Sequence, residues 1–211
     1  MYIGHYKVRW LFFMTGLAII GLGIALMLRG RQFGLSSWDV LHYGLQKQLG
    51  LTIGLWSIIM GILIVLVTVI FDRRWPKTGV YINMLMIGTF TDIFNYLLPN
   101  ITGLMPQIIV YSIGFLVLSF GIAFYITPEL GAGPRDTFML LLIERTPMDL
   151  KTARTLMEVI VLIIGYLLGG PVGIGTIVVT LSLGTCIQMW LPFTRKILSL
   201  LGVNRKEIER L

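Results

Sequence analysis

The chain is short of charge, cysteine and histidine. Charged residues make up 13% of its 211 positions and hydrophobic residues 56%. An average soluble domain carries roughly 25% charged residues. That deficit excludes a water-soluble globule and points to an integral membrane protein. The one cysteine, Cys186, excludes an intrachain disulfide and leaves redox compartment undetermined. The two histidines, His5 and His42, lie far apart with no cysteine at metal spacing, so a zinc-type ligand set is not expected. HExxH, GxSxG and a glycine loop ending in Lys-Ser/Thr are all missing. No enzymatic activity, cofactor or metal is therefore expected, and nothing points to nucleic acid.

What is present is a series of apolar runs, each near the roughly twenty residues that a spanning helix needs. Trp10–Leu28 is the first, too long for a signal-peptide core and not followed by an Ala-x-Ala site, so it reads as a retained span. The others run over about Gly54–Phe71, Gly79–Leu98, Gln107–Ile126, Thr152–Leu168 and from the Gly169–Gly175 break to Leu191. The basic tail Phe193–Leu211 reads as an amphipathic segment lying along the cytoplasmic surface. With the N-terminus inside, all but three of the 17 basic residues fall on the cytoplasmic side; Arg29, Arg31 and Lys47 stay outside. Both termini are then cytoplasmic, as six spans require.

An internal repeat organises these runs. Gly34-Leu35-Ser36-Ser37-Trp38-Asp39 returns, altered, as Gly131-Ala132-Gly133-Pro134-Arg135-Asp136, and each copy follows a run ending in Gly-Ile-Ala. A shift of about 97 positions sets Asp39 on Asp136 and Gly61 on Glu158; one position fewer sets Gly79 on Gly175 and Asp92 on Gln188. Each unit holds three spans, an odd number, so the second enters from the opposite face as an inverted repeat. The expected fold is an all-α integral membrane protein of six transmembrane helices in two inverted three-helix repeats. A short helix or re-entrant loop follows the first helix of each. The boundaries are 1–98, 99–192 and a tail over 193–211.

Several polar residues are candidates for substrate binding or gating. Asp39 and Asp136 sit in the first turn of the helices that open each loop, where an acid suits the helix dipole. They are either helix-cap residues or parts of paired re-entrant gates, with Asp136 reaching Arg154 in the second case. Trp38 is an interface-belt residue or a ligand contact, and Arg135 a cytoplasmic charge or part of the gate. Asp92 lies inside a span among Asn83, Thr89, Thr91 and Asn95, where a carboxylate rarely faces lipid. It is a hydrogen-bonded packing residue or a proton or ion site, and its counterpart Gln188 cannot titrate. Arg154 and Glu158, one turn apart, can neutralise each other as an anchor. The 24 glycines, many within spans, allow close helix approach.

The Trp38-Asp39 loop, its Gly133-Pro134-Arg135-Asp136 counterpart and the glycine spacing resemble the YczE/YitT group of small bacterial membrane proteins. The likeness extends over most of the chain, with Ser36-Ser37 replacing a Gly-Pro pair before Trp38. It implies a bacterial cell membrane. The expected function is a small transporter or permease with a cavity at the repeat interface, its partners the lipid bilayer and a small solute, for which an anion is one candidate. The alternative is a membrane scaffold or regulator that binds a protein partner and transports nothing.

Overall fold

The computed structural model describes residues 3–73, 75–131 and 133–203. Among the described residues the chain is helical throughout: α1 (Ile3–Arg29), a 3-10 turn (Arg31–Phe33), α2 (Ser37–Leu49), α3 (Ile53–Asp72), α4 (Thr78–Leu97), α5 (Leu104–Ile126), α6 (Pro134–Arg145), α7 (Leu150–Leu167) and α8 (Ile174–Leu200). Helix starts follow local chemistry. Thr52 caps α3 by accepting from the Leu55 amide at 3.1 Å, and Asp149 caps α7 by accepting from Thr152 at 3.3 Å. Pro134 occupies the first turn of α6, where its missing N–H costs nothing.

Four helices are long and apolar enough to cross a membrane: α1 (from Tyr6), α3, α5 and α8. The two other segments expected to span form helices α4 and α7, of 20 and 18 residues, but among the described residues they are not apolar enough to join those four. Asn83, Asp92 and Asn95 fall in α4; Lys151, Arg154 and Glu158 fall in α7. The short helices α2 and α6, of 13 and 12 residues, reach only about 20 Å at 1.5 Å per residue and cannot span.

Helix α1 is the hub. Of its most apolar stretch 61% is buried, against 17% for α8, which places α1 inside and α8 at the rim. It packs on α4 and, most extensively, on α5. The α1–α5 crossing is antiparallel and glycine-lined on both sides. A Cβ on Gly16 would sit 2.5 Å from the Tyr125 amide nitrogen, and one on Gly23 2.6 Å from that of Leu118. From the other helix, a Cβ on Gly114 would sit 2.8 Å from the Met27 nitrogen and one on Gly121 2.8 Å from that of Ile20. Side chains at these positions would push the two backbones apart, which is how small residues drive association in lipid. Elsewhere α2 lies on α7, α6 on α3, α4 on α3, and α8 on α5.

The tail differs from expectation. Helix α8 does not end before Phe193 but continues through Pro192 to Leu200. Leu198, 2% exposed, packs with Phe12 and Val203, and the Thr194 and Thr127 hydroxyls meet at 2.8 Å. Leu198 therefore buries its apolar side against α1 rather than along a membrane surface. The rest of the expected tail, residues 204–211, lies outside the described residues.

Candidate functional site

A cavity of about 230 Å³ lies between the N-termini of the two short helices. Trp38 and His42 reach it from α2; Gly133, Pro134, Arg135, Asp136 and Met139 reach it from the start of α6. Ser57, Met60 and Gly61 of α3, Asn83 of α4, Tyr125 of α5, and Arg154, Met157 and Glu158 of α7 complete most of its wall.

The first copy of the loop is locked by its own side chains. Ser36 accepts from the Asp39 amide and its hydroxyl donates to Asp39 Oδ2 at 2.5 Å, a reciprocal cap on α2. Gly34 (φ 99°) turns the chain beside Gly173 and Thr176. The carboxylate of Asp39 is 6% exposed, and its Oδ1 lies 3.9 Å from His42 Nδ1. The second copy is held by Gly131 (φ 145°) against Gly79 and Val80, and by Arg9, whose Nε and Nη2 donate to the Pro128 carbonyl at 3.1 and 2.8 Å.

The two copies meet. The Arg135 guanidinium carbon stands 4.4 Å from the centroid of the Trp38 ring, a cation–π contact joining the first turn of α6 to that of α2. Asp39, Glu158 and Asp136 are the carboxylates whose charges act on Arg135. Trp38 is thus not an interface-belt residue: at 6% exposed, it packs with Leu41 and Val161 between α2 and α7.

The cavity gathers Trp38, Asn83, Arg135, Asp136, Arg154 and Glu158 from the sequence candidates, with Asp39 just behind Trp38. Two expected ion pairs do not form. Among the described residues neither Arg154–Glu158 nor Asp136–Arg154 comes within 4 Å; Arg154 is exposed at the rim. Gln188 is exposed on α8 and does not line the cavity.

Asp92 is also elsewhere. Its Oδ1 accepts the Gly54 amide at 2.9 Å and its Oδ2 the Thr52 hydroxyl, so α4 caps the start of α3 in trans. Of the two readings of Asp92, the packing one describes these contacts. Asp92→Ala is expected to cost about 1–2 kcal/mol, as cap deletions do. Faster hydrogen exchange at the Gly54 amide would report the loss.

Sequence reading missed His42, Tyr125 and four methionines, Met60, Met84, Met139 and Met157, of the cavity wall. His42 carried a signal: three residues beyond Asp39, it shares that residue's helix face. The methionines carried none, because an apolar residue facing a cavity and one facing lipid look alike in sequence.

A family model described as a family of unknown function (DUF6198) matches residues 7–192. The chain belongs to this family. Family membership covers both short helices and every wall of the cavity. The chain is 41% identical over 191 residues to the uncharacterized membrane protein YczE of Bacillus subtilis, covering 90% of this chain and 89% of that one. It is 34% identical over 178 residues to an uncharacterized protein of Haemophilus influenzae, covering 84% and 81%. The uncharacterized protein YyaS of Bacillus subtilis is 25% identical over 201 residues, covering 94% and 98%. No solved structure matches. These likenesses agree with the resemblance drawn from the two loops and make the chain a membrane protein of a YczE-like family.

Proposed function

We propose that this chain is a small transporter of the bacterial cell membrane, working by alternating access between two inverted halves, α1–α4 and α5–α8. The observation that carries the reading is the meeting of the two short helices at one cavity, Arg135 over Trp38. Two related elements, one per half, flanking a shared central site are what an inverted-repeat transporter needs.

Further contacts support it. The same interval separates Gly16 from Gly114 and Gly23 from Gly121, and their neighbours, Tyr125 against Met27 and Leu118 against Ile20, are separated likewise. Gly34 rests on the start of α8 while Gly131 rests on the start of α4. The packing of α2 on α7 answers that of α6 on α3, and α1 on α4 that of α5 on α8. With both termini cytoplasmic, α4 and α7 count as spans: Asn83, Asp92 and Asn95 of α4 are buried or half-buried, while the exposed Lys151 and Arg154 lie at the start of α7. The cavity draws Trp38 and His42 from α2 and Pro134 and Met139 from α6, so each half contributes its short helix to the wall.

Cysteine labelling tests the proposal in a Cys186→Ser background with a membrane-impermeant maleimide. Pro134→Cys and Ser37→Cys, both at positions buried in this conformation, are expected to stay protected without a wedge. A wedge on the α6 side (Met139→Trp) is expected to raise labelling at Pro134→Cys, and one between α2 and α7 (Leu45→Trp) to move labelling to Ser37→Cys. Labelling that ignores both wedges would sink alternating access and favour a static scaffold.

A further inference from the structure

The two halves do not pack alike. In the first, α3 and α4 lie in close contact; in the second, α7 and α8 barely touch. The face that α4 turns to α3 carries Met84, Gly88 and Asp92, four residues apart. Met84 lies against Gly61, Gly88 against the Gly54 carbonyl, and Asp92 caps α3. The repeat interval of 96 positions sets these three on Thr180, Gly184 and Gln188 of α8, and all three are exposed. A Cβ on Gly184 would meet nothing within 4 Å. On α7, the counterparts of Gly54, Ile58 and Gly61 are Lys151, Thr155 and Glu158, the first two exposed and the third half-buried. A cleft therefore separates α7 from α8 where α3 and α4 are sealed.

The cleft borders the cavity. Leu183 and Ile187, the sequence neighbours of Gly184 and Gln188, line the cavity from α8, and Arg154, Met157 and Glu158 line it from α7. Glu158 stands about 12 Å along α7 from its first residue, at 1.5 Å per residue. A cleft between spanning helices at that depth adjoins lipid, where exposed polar groups are costly, so its polar lining marks the passage of a polar group. Inside, Arg135 and Arg154 line the cavity together with Asp136 and Glu158, two charges of each sign. Among the described residues none of the four forms an ion pair within 4 Å. A head group with one charge of each sign satisfies such a wall, its phosphate on a guanidinium and its ammonium on a carboxylate. At about 230 Å³ the cavity is smaller than the roughly 300–1,000 Å³ of pockets that enclose a whole drug-sized ligand. It holds a head group and leaves an acyl chain outside.

We infer that the cavity takes the zwitterionic head of a membrane lipid, which enters sideways through the α7–α8 cleft while its chain stays in the bilayer. This deepens the transporter reading: it rests on the inverted halves for the comparison of the two helix pairs, and on the cavity for the ligand.

Methionine methyl NMR on the full-length protein in maltoside micelles reads occupancy at Met60, Met84, Met139 and Met157, which line the cavity. The probes are lysophosphatidylethanolamine, lysophosphatidylglycerol of the same chain, and glycerophosphoethanolamine, which is the zwitterionic head without a chain. Lysophosphatidylethanolamine is expected to shift the cavity methyls. The anionic lipid is expected to bind at least about tenfold more weakly, because it brings an unbalanced charge to a balanced site. The chainless head, which does not partition into the micelle, is expected to leave the methyls unmoved at the same concentration. Gly184→Trp fills the cleft and is expected to abolish the shifts, whereas Leu181→Trp, at a position 76% exposed on the same helix, keeps them. The inference is overturned if lysophosphatidylethanolamine moves no cavity methyl, if the anionic lipid or the chainless head binds as well, or if Gly184→Trp takes the lipid like the parent. Comparing the three probes in the parent chain needs no variant to fold. Lysophosphatidylethanolamine that binds, with no exchange of labelled phosphatidylethanolamine between the leaflets of proteoliposomes, would support the site and count against transport. Reciprocal labelling at Ser37→Cys and Pro134→Cys without lipid binding would do the opposite.

Discussion

Valine at Gly16 or at Gly121 is expected to cost about 3 kcal/mol, the upper end for inserting atoms into a packed interior. At Gly16 the new Cβ would meet the backbone of Tyr125, and at Gly121 that of Ile20, and neither can swing aside as a side-chain tip does. The α1–α5 crossing would have to open, and with it the face that α1 buries against α5. Gly184 is the control. It too lies within a helix, but nothing stands within 4 Å of a Cβ there. Gly184→Ala is expected to be neutral or to stabilise by up to about 1 kcal/mol from helix propensity. Unfolding by denaturing detergent, read for all three variants, checks the contrast. Equal losses at Gly16 and Gly184 would mean that crossing distance does not set stability.

The second large effect is at Arg135. Arg135→Leu is expected to cost about 2 kcal/mol, the figure for losing a desolvated cation–π contact. Among the described residues no carboxylate comes within 4 Å of the half-buried Arg135, so no salt bridge is lost with it. The acids left behind are Asp39, Glu158 and Asp136, and Trp38 loses the cation over its ring. Asp39→Asn alone keeps a side-chain acceptor for Ser36 and is expected to cost about 1 kcal/mol. The double variant should lose at least about 1 kcal/mol less than the two singles combined, because the carboxylate stranded by the first change is gone. Strict additivity would show that Arg135 does not serve the first loop. Arg135→Lys is expected to keep most of the stability but not the stacking, since an ammonium lacks the planar face.

Much of this fold was legible in sequence because membranes impose simple rules. Uncharged runs gave the helices to within a few residues, as at Ile53–Asp72 against an expected Gly54–Phe71. Pro134 and the two acids marked where the short helices begin. The end of α8 was not legible. The basic segment after Leu191 read as a surface tail, yet the helix runs on through Pro192, where packing of Thr194 and Leu198 against neighbouring helices outweighs the one hydrogen bond that proline removes. Asp92 was legible only as one of two alternatives. The packing reading describes its contacts, but its partners Thr52 and Gly54 are remote in sequence, so the trans-acting cap itself was not legible. The cavity itself was half legible. Its charged residues stood out against an apolar background, whereas the juxtaposition of Arg135 with Trp38 depends on how two halves dock, which no local pattern encodes.

The central position of α1 bears on how the chain is made. It is synthesised before α5, yet its glycine face is complementary to that helix, whose last residue, Ile126, follows almost a hundred positions after Arg29. At synthesis rates of about 5–20 residues per second, that leaves roughly 5–20 seconds between the two insertions. During that interval Gly16 and Gly23 face lipid or the insertion machinery, and a nascent chain stalled before Leu104 displays a notched, unpaired helix. The hub of the finished protein therefore waits longest for its main partner, and its notched face stays uncovered until α5 arrives.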